Sequence, residues 1–186
     1  MSLLKKITQG HLLFFAALFV LFSCQNDTKE IDEVTQKEAI FPTEHGKMVE
    51  IFYTDSGLVK VRLTAPIMNH YTYNVKEHYT EMPKGLFIEF FNEHSEIKTM
   101  LKANYGIRYE DTKKTEVKYK VQVTNVNGEV LNTEQLFWDE ATQKIYTEEF
   151  VKITTKKEVL TGKGMVANQD FTDWEINNIT GTHTAE

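Results

Sequence analysis

Residues 117–128 read VKYKVQVTNVNG, and this stretch decides the fold. Val117, Tyr119, Val121 and Val123 share one parity, and Lys118, Lys120, Gln122 and Thr124 share the other. Period-two alternation of apolar and polar residues marks a strand with one packed and one wet face, and such strands belong to antiparallel sheets. The run ends at Asn127-Gly128, two residue types that tolerate positive φ, before a further apolar run. An Asn-Gly pair between two strand-like runs is the strongest short-range hairpin signal.

The same alternation extends outward in both directions. Val59, Val61, Leu63 and Ala65 alternate with Leu58, Lys60, Arg62 and Thr64. Ile97, Leu101 and Ala103 alternate with Glu96, Lys98, Met100 and Lys102, so Lys60 and Lys98 are expected on the wet face. Turn-forming clusters separate the runs at residues 55–57, 92–95, 111–115, 139–143 and 155–158. Counted this way, the chain holds about eleven or twelve strands. Residues 29–39 fit a short helix, and no segment sustains a helical period with caps. The expected domain is all-β and covers residues 45–186.

An internal repeat sharpens the picture. Leu63, Ala65 and Tyr71 lie 6, 8 and 14 residues after Gly57, and Leu101, Ala103 and Tyr109 lie at the same offsets from Ser95. A looser third copy runs from Gly128 through Leu136 and Trp138, and a fourth starts at Leu160 with Gly162, Gly164 and Ala167. Such repetition suggests stacked hairpins, each burying its apolar face on its neighbours.

The first 23 residues differ in kind. Lys5 and Lys6 precede an uninterrupted apolar run at residues 12–22 (LLFFAALFVLF), and Ser23 supplies a small residue before Cys24. This is the layout of a cleavable export signal, and the run is too short to span a bilayer. Leu21-Phe22-Ser23-Cys24 resembles the lipobox of bacterial lipoproteins, with Phe22 bulkier than usual. Cys24 is therefore the expected lipidation site and the membrane anchor. It is the chain's sole cysteine, so no intrachain disulfide is available. Residues 24–44 are polar and acidic and read as a flexible tether.

Composition excludes several functions. The full chain carries −6, and Lys5 and Lys6 are the only charged residues among the first 23; from Cys24 onward 19 basic residues face 27 acidic ones, or −8. Nucleic-acid binding needs a concentrated basic face, so no nucleic-acid partner is expected. The six histidines (11, 45, 70, 78, 94 and 183) show no metal-ligand spacing, and no nucleophile elbow, phosphate loop or dinucleotide fingerprint occurs. The chain is thus expected to be no enzyme and to need no metal or cofactor. Lys152, Lys156, Lys157 and Lys163 read as a solvated face, and Gly162 and Gly164 as a strand bulge or bend.

Five stretches in order carry a family likeness. They are PKGLFIEFF at residues 83–91, LKANY at 101–105, LNTEQLFWD at 131–139, KIYTEEFV at 144–151 and GKGMVANQDF at 162–171. Together they resemble the LptC family of periplasmic lipopolysaccharide-export proteins over most of residues 45–181. The resemblance implies an open, twisted, V-shaped antiparallel β-jellyroll whose apolar groove shields the acyl chains of lipopolysaccharide. It implies loading by an inner-membrane ABC transporter and hand-over to an LptA-like periplasmic carrier. Many members hold the inner membrane by a transmembrane helix; this chain would use acyl chains on Cys24. Gln25 gives no retention signal, so the outer membrane stays open as the anchor site.

On that reading the groove wall is built from Val59, Val61, Leu63, Ala65, Ile97, Leu101, Ala103, Val121 and Leu136. The last strand holds Trp174, Ile176 and Ile179 and contains no Pro or Lys, so it would offer an edge to the next carrier. Residues 47–54 would face the transporter. Alternation alone favours a closed sandwich core, and only the family resemblance reverses that, which leaves a surface-facing structural or adhesive lipoprotein as the other reading. A lipocalin-like carrier fits less well, because the strand count exceeds eight.

Overall fold

The computed structural model describes residues 40–184. The expected export signal, Cys24, residues 29–39 and most of the tether lie outside the described residues. Eleven strands form one antiparallel sheet, and no helix occurs among the described residues. In chain order they are β1 (Glu44–Asp55), β2 (Leu58–Tyr71), β3 (Tyr79–Met82), β4 (Leu86–Phe91), β5 (Ile97–Ala103) and β6 (Tyr105–Tyr109). There follow β7 (Lys114–Asn125), β8 (Val130–Asp139), β9 (Lys144–Thr154), β10 (Glu158–Asn168) and β11 (Trp174–Thr184).

The order is a plain meander once bends are recognised. β2 pairs with β4 through residues 61–64 and with β3 through residues 69–71. β3 and β4 are thus the two halves of one strand, bent at residues 83–85. β5 and β6 are likewise halves of one strand bent at Asn104, since both pair with β7. Among the described residues β1 pairs only with β2, and β11 only with β10, so both ends of the sheet leave a free edge.

The bends align in a crease. Gly85 (φ +88°) sits against Asn104, and Asn104 N donates to Tyr119 O at 3.0 Å. Tyr119 and Lys120 are both left-handed, and the β7–β8 register shifts across them. The shift continues between Thr133 and Phe137 in β8 and between Lys163 and Met165 in β10, where Gly164 has φ +77°. A β-bulge adds residues to one strand and bends it. A row of bulges folds the whole sheet into two leaves with facing inner sides. The expectation of a bend at Gly162 and Gly164 holds.

The repeat has a structural basis. Leu63 pairs with Ile88, and Ile88 with Leu101, while Tyr71 pairs with Tyr79, and Tyr79 with Tyr109. Equivalent residues therefore lie two strands apart in one row. The Leu row continues through Val123, Leu131, Ile153 and Leu160. Leu160 belongs to it, but the third copy is out of step: Leu131 occupies the row, and Leu136 lies beyond the crease beside Val117.

The core runs along the inner faces. Leu131, Val151, Ile153, Met165 and Phe171 have no exposed surface. Burying each such side chain contributes about 1.5–3 kcal/mol. Turns follow their residues. Ser56 (φ +52°) and Gly57 (φ +79°) make a two-residue hairpin turn. At Asn127-Gly128 the hairpin forms, but only Gly128 takes positive φ, with Gly128 N donating to Asn125 O at 3.0 Å.

Candidate functional site

The leaves are open on the β1–β4 side and closed on the other. The open part is a trough of about 1060 Å³. Its apolar wall comes from Ile51 and Tyr53 of β1, Val61, Leu63 and Met68 of β2, Met82, Ile88 and Phe90, with Trp138 from the far leaf. These residues meet because β1 and β2 pair in register, Tyr53 to Val61 and Ile51 to Leu63, so that both strands present the same parity inward.

The trough narrows at an aromatic pair. The rings of Phe90 and Trp138 approach edge to face from opposite leaves, with centroids 5.8 Å apart and planes at 87°. Beyond them the space falls to about 20 Å³, lined by Ile88, Thr99, Leu101, Thr115, Val117, Val123, Leu136 and Ile145. That is room for about one water-sized group. The far half of the V is therefore a packed core.

A strap at residues 169–173, between β10 and β11, closes that half. Phe171 turns inward, fully buried, and its ring stacks on Trp174 at 6.3 Å. Three polar contacts pin the strap to the opposite leaf. Lys98 forms an ion pair with Asp170, Thr99 Oγ1 donates to Asp170 O at 2.9 Å, and Asn125 Nδ2 donates to Phe171 O at 2.6 Å.

Seven charged residues also line the trough, three cationic and four acidic: Asp55, Lys60, Glu93, Lys98, Arg108, Glu140 and Asp170. Arg108 donates through Nε and Nη2 to the Glu140 carboxylate at 2.7 and 3.2 Å, and that hydrogen bonding holds its guanidinium more firmly charged than usual. Lys60 and Lys98 thus lie at the trough, not on the outer face as alternation suggested. The register shift between Tyr53 and Thr54 in β1–β2, and that between Phe90 and Phe91 in β4–β5, upset the parity at these strand ends.

The expected wall residues divide into groups. Val61 and Leu63 line the trough. Leu101 and Leu136 line the small gap behind Phe90 and Trp138. Ala65, Ala103 and Val121 are buried core near the crease. Val59 is half-buried, and Ile97, at the start of β5, is exposed. Sequence reading missed Ile51, Tyr53, Met68, Met82, Ile88, Phe90 and Trp138. The parity of Ile51 and Tyr53 matched that of Val61 and Leu63 and could have found the first two.

Outside the crease a second concavity of about 570 Å³ mixes Lys102, Lys120 and Lys152 with Glu134, Glu149 and Phe150. Between β6 and β3, Tyr105 donates its hydroxyl to Glu81 at 2.9 Å, and burial pushes that phenol up. At the two free edges the side chains differ. Met48, Phe52 and Tyr53 of β1 are exposed. On β11, Ile176 is buried against Gly162, Trp174 is half-buried on Phe171, and only Ile179 is exposed. No helix among the described residues is long and apolar enough to cross a membrane.

A search of curated proteins finds no match. The family model described as "Lipopolysaccharide-assembly, LptC-related" matches residues 11–184.

Proposed function

The chain belongs to this LptC-related lipopolysaccharide-assembly family, and from that membership we propose that it carries lipopolysaccharide by shielding the acyl chains in its apolar trough. The family consists of periplasmic components of envelope lipopolysaccharide transport and is not known for enzymes. Within that setting the chain takes lipid from an inner-membrane ABC transporter and passes it to an LptA-like carrier. The observation that supports this reading is the trough itself, about 1060 Å³ with apolar walls and charged residues in its lining. Each CH₂ removed from water there contributes about 0.8 kcal/mol, so part of one acyl chain supplies several kcal/mol. The sugars and phosphates stay outside, where Lys60 meets them.

The free edges suit a relay. An unpaired strand edge is a template for another strand. β1, with its exposed Met48, Phe52 and Tyr53, faces the transporter, and β11 docks the next carrier. Ile176 contributes to docking through its backbone alone, since its side chain belongs to the core.

The test is photo-crosslinking in cells. A crosslinker at Leu63 is expected to capture lipopolysaccharide, and one at Glu148 or Lys156, both exposed and outside either cavity, is not. Lys60 and Lys98 cannot serve as controls, because they border the trough. At Ile179 the same crosslinker is expected to capture a carrier domain. Equal lipid capture at Leu63 and Glu148 would remove the trough from the mechanism.

The anchor is Cys24, lipidated and held in the inner membrane. The Cys24→Ser protein is expected to leave the membrane fraction and to lose labelling by a palmitate analogue. Undiminished labelling in that variant refutes the assignment.

A further inference from the structure

Two residues at the inner end of the trough carry buried polar groups that have no partner among the described residues. The groups are the indole N–H of Trp138 and the hydroxyl of Thr115. Thr115 is itself almost wholly buried. The two residues are direct cross-strand partners, Thr115 in β7 and Trp138 in β8. Both line the trough, and both line the gap of about 20 Å³ behind it. Buried donors are rarely left unpaired, because each forfeits its bond to water without replacement.

The surroundings narrow what could pair with them. Trough and gap share Ile88, Phe90, Thr115, Trp138 and Gln169, so the gap is reached from the trough. Its volume admits about one oxygen atom with its hydrogens. The remaining gap walls are chiefly aliphatic, which excludes a charged group on desolvation grounds. An indole N–H only donates, while a threonine hydroxyl donates or accepts. A hydroxyl on the occupant answers both: it accepts from Trp138 Nε1 and donates to Thr115 Oγ1. A plain hydrocarbon chain answers neither.

We infer that Thr115 and Trp138 form a subsite for a hydroxyl-bearing acyl chain, so that the trough prefers hydroxylated over unsubstituted chains. The inference rests on the lipid reading of the trough. It adds a chemical preference that apolar walls alone cannot supply, since a wall of methyl and ring carbons treats all chains of equal length alike.

The experiment uses the full chain and fatty-acid probes of one length, unsubstituted or carrying one hydroxyl near the carboxyl, at mid-chain or near the tail. Binding is followed by Trp138 emission in a Trp174→Phe background, which leaves one tryptophan. At least one hydroxylated probe should bind about tenfold more tightly than the plain acid, the usual scale for satisfying a buried donor, and should alone shift the emission. Thr115→Val and, read by probe displacement, Trp138→Phe should each bring that ratio close to one. Equal binding of all probes to the parent protein overturns the subsite and leaves the gap to a water molecule. Equal weakening of both probe classes by Thr115→Val also overturns it, because that is the signature of a packing role. Failure of every probe to bind is a different result: it overturns the lipid reading of the trough.

Discussion

Aspartate in place of Leu63 is expected to lower the lipopolysaccharide recovered with the protein about tenfold or more. Leu63 stands mid-wall, between Ile51 of β1 and Ile88 of β4, where an acyl chain would lie. An ionised carboxylate there must stay hydrated or give up its water. In the first case it keeps the trough wet; in the second it costs several kcal/mol. Every 1.4 kcal/mol is about tenfold in affinity. Leu63→Ala removes three carbons but leaves the wall apolar, and should cost about fourfold, the contact worth of about one CH₂ of the bound chain. Because Leu63 is half-buried, at the trough and not in the packed half, both variants should fold. Co-purified lipopolysaccharide per mole of protein, with a thermal melt as control, decides the matter. A folded Leu63→Asp protein that loads like wild type would rule out this wall as the acyl site.

Valine in place of Gly85 is expected to be strongly destabilising. Gly85 has φ +88°, and a Cβ there would meet Ala103 O at 2.7 Å and Asn104 Cα at 3.2 Å. Left-handed backbone costs an L-residue about 1–2 kcal/mol, and a collision with rigid backbone adds about 1–3 kcal/mol. The total, about 3 kcal/mol, is a large part of the 5–15 kcal/mol that holds a typical domain together. For a domain of this size it should lower Tm by about 10 °C. Gly57→Val separates the two effects. Gly57 has φ +79°, but nothing lies within 4 Å of its added Cβ, so it should lose only the backbone share. Equal shifts in Tm for the two variants would mean that the crease contact contributes nothing.

The strands were legible in the sequence because alternation reports local burial, and antiparallel meanders keep that signal clean. The crease was not. Val117, Tyr119, Val121 and Val123 keep unbroken parity, yet Tyr119 is exposed while the three valines are buried. Two successive left-handed residues flip Tyr119 out and restore the parity at Val121, so the bulge leaves no trace in the pattern. Leu136 was placed in the repeat for the same reason: the bulge between Thr133 and Phe137 moves it to the second leaf. The groove was half legible. Val61 and Leu63 were found by parity, whereas Trp138, contributed from across the V, is a tertiary neighbour that no local pattern reveals. Ile97 shows the opposite error, an apolar residue of the right parity stranded at a strand end.

The meander has a kinetic consequence. Each long strand pairs with the one before and the one after it, so nearly every pairing closes a short loop. Relative contact order is then low for an all-β chain, and folding rate falls as contact order rises. The chain should refold faster than Greek-key sandwiches of equal length, whose pairings wait for distant strands. With a single cysteine, no disulfide step can delay it. Hairpins can also add in chain order, each on the edge left by the last, which suits a polypeptide that emerges one end first.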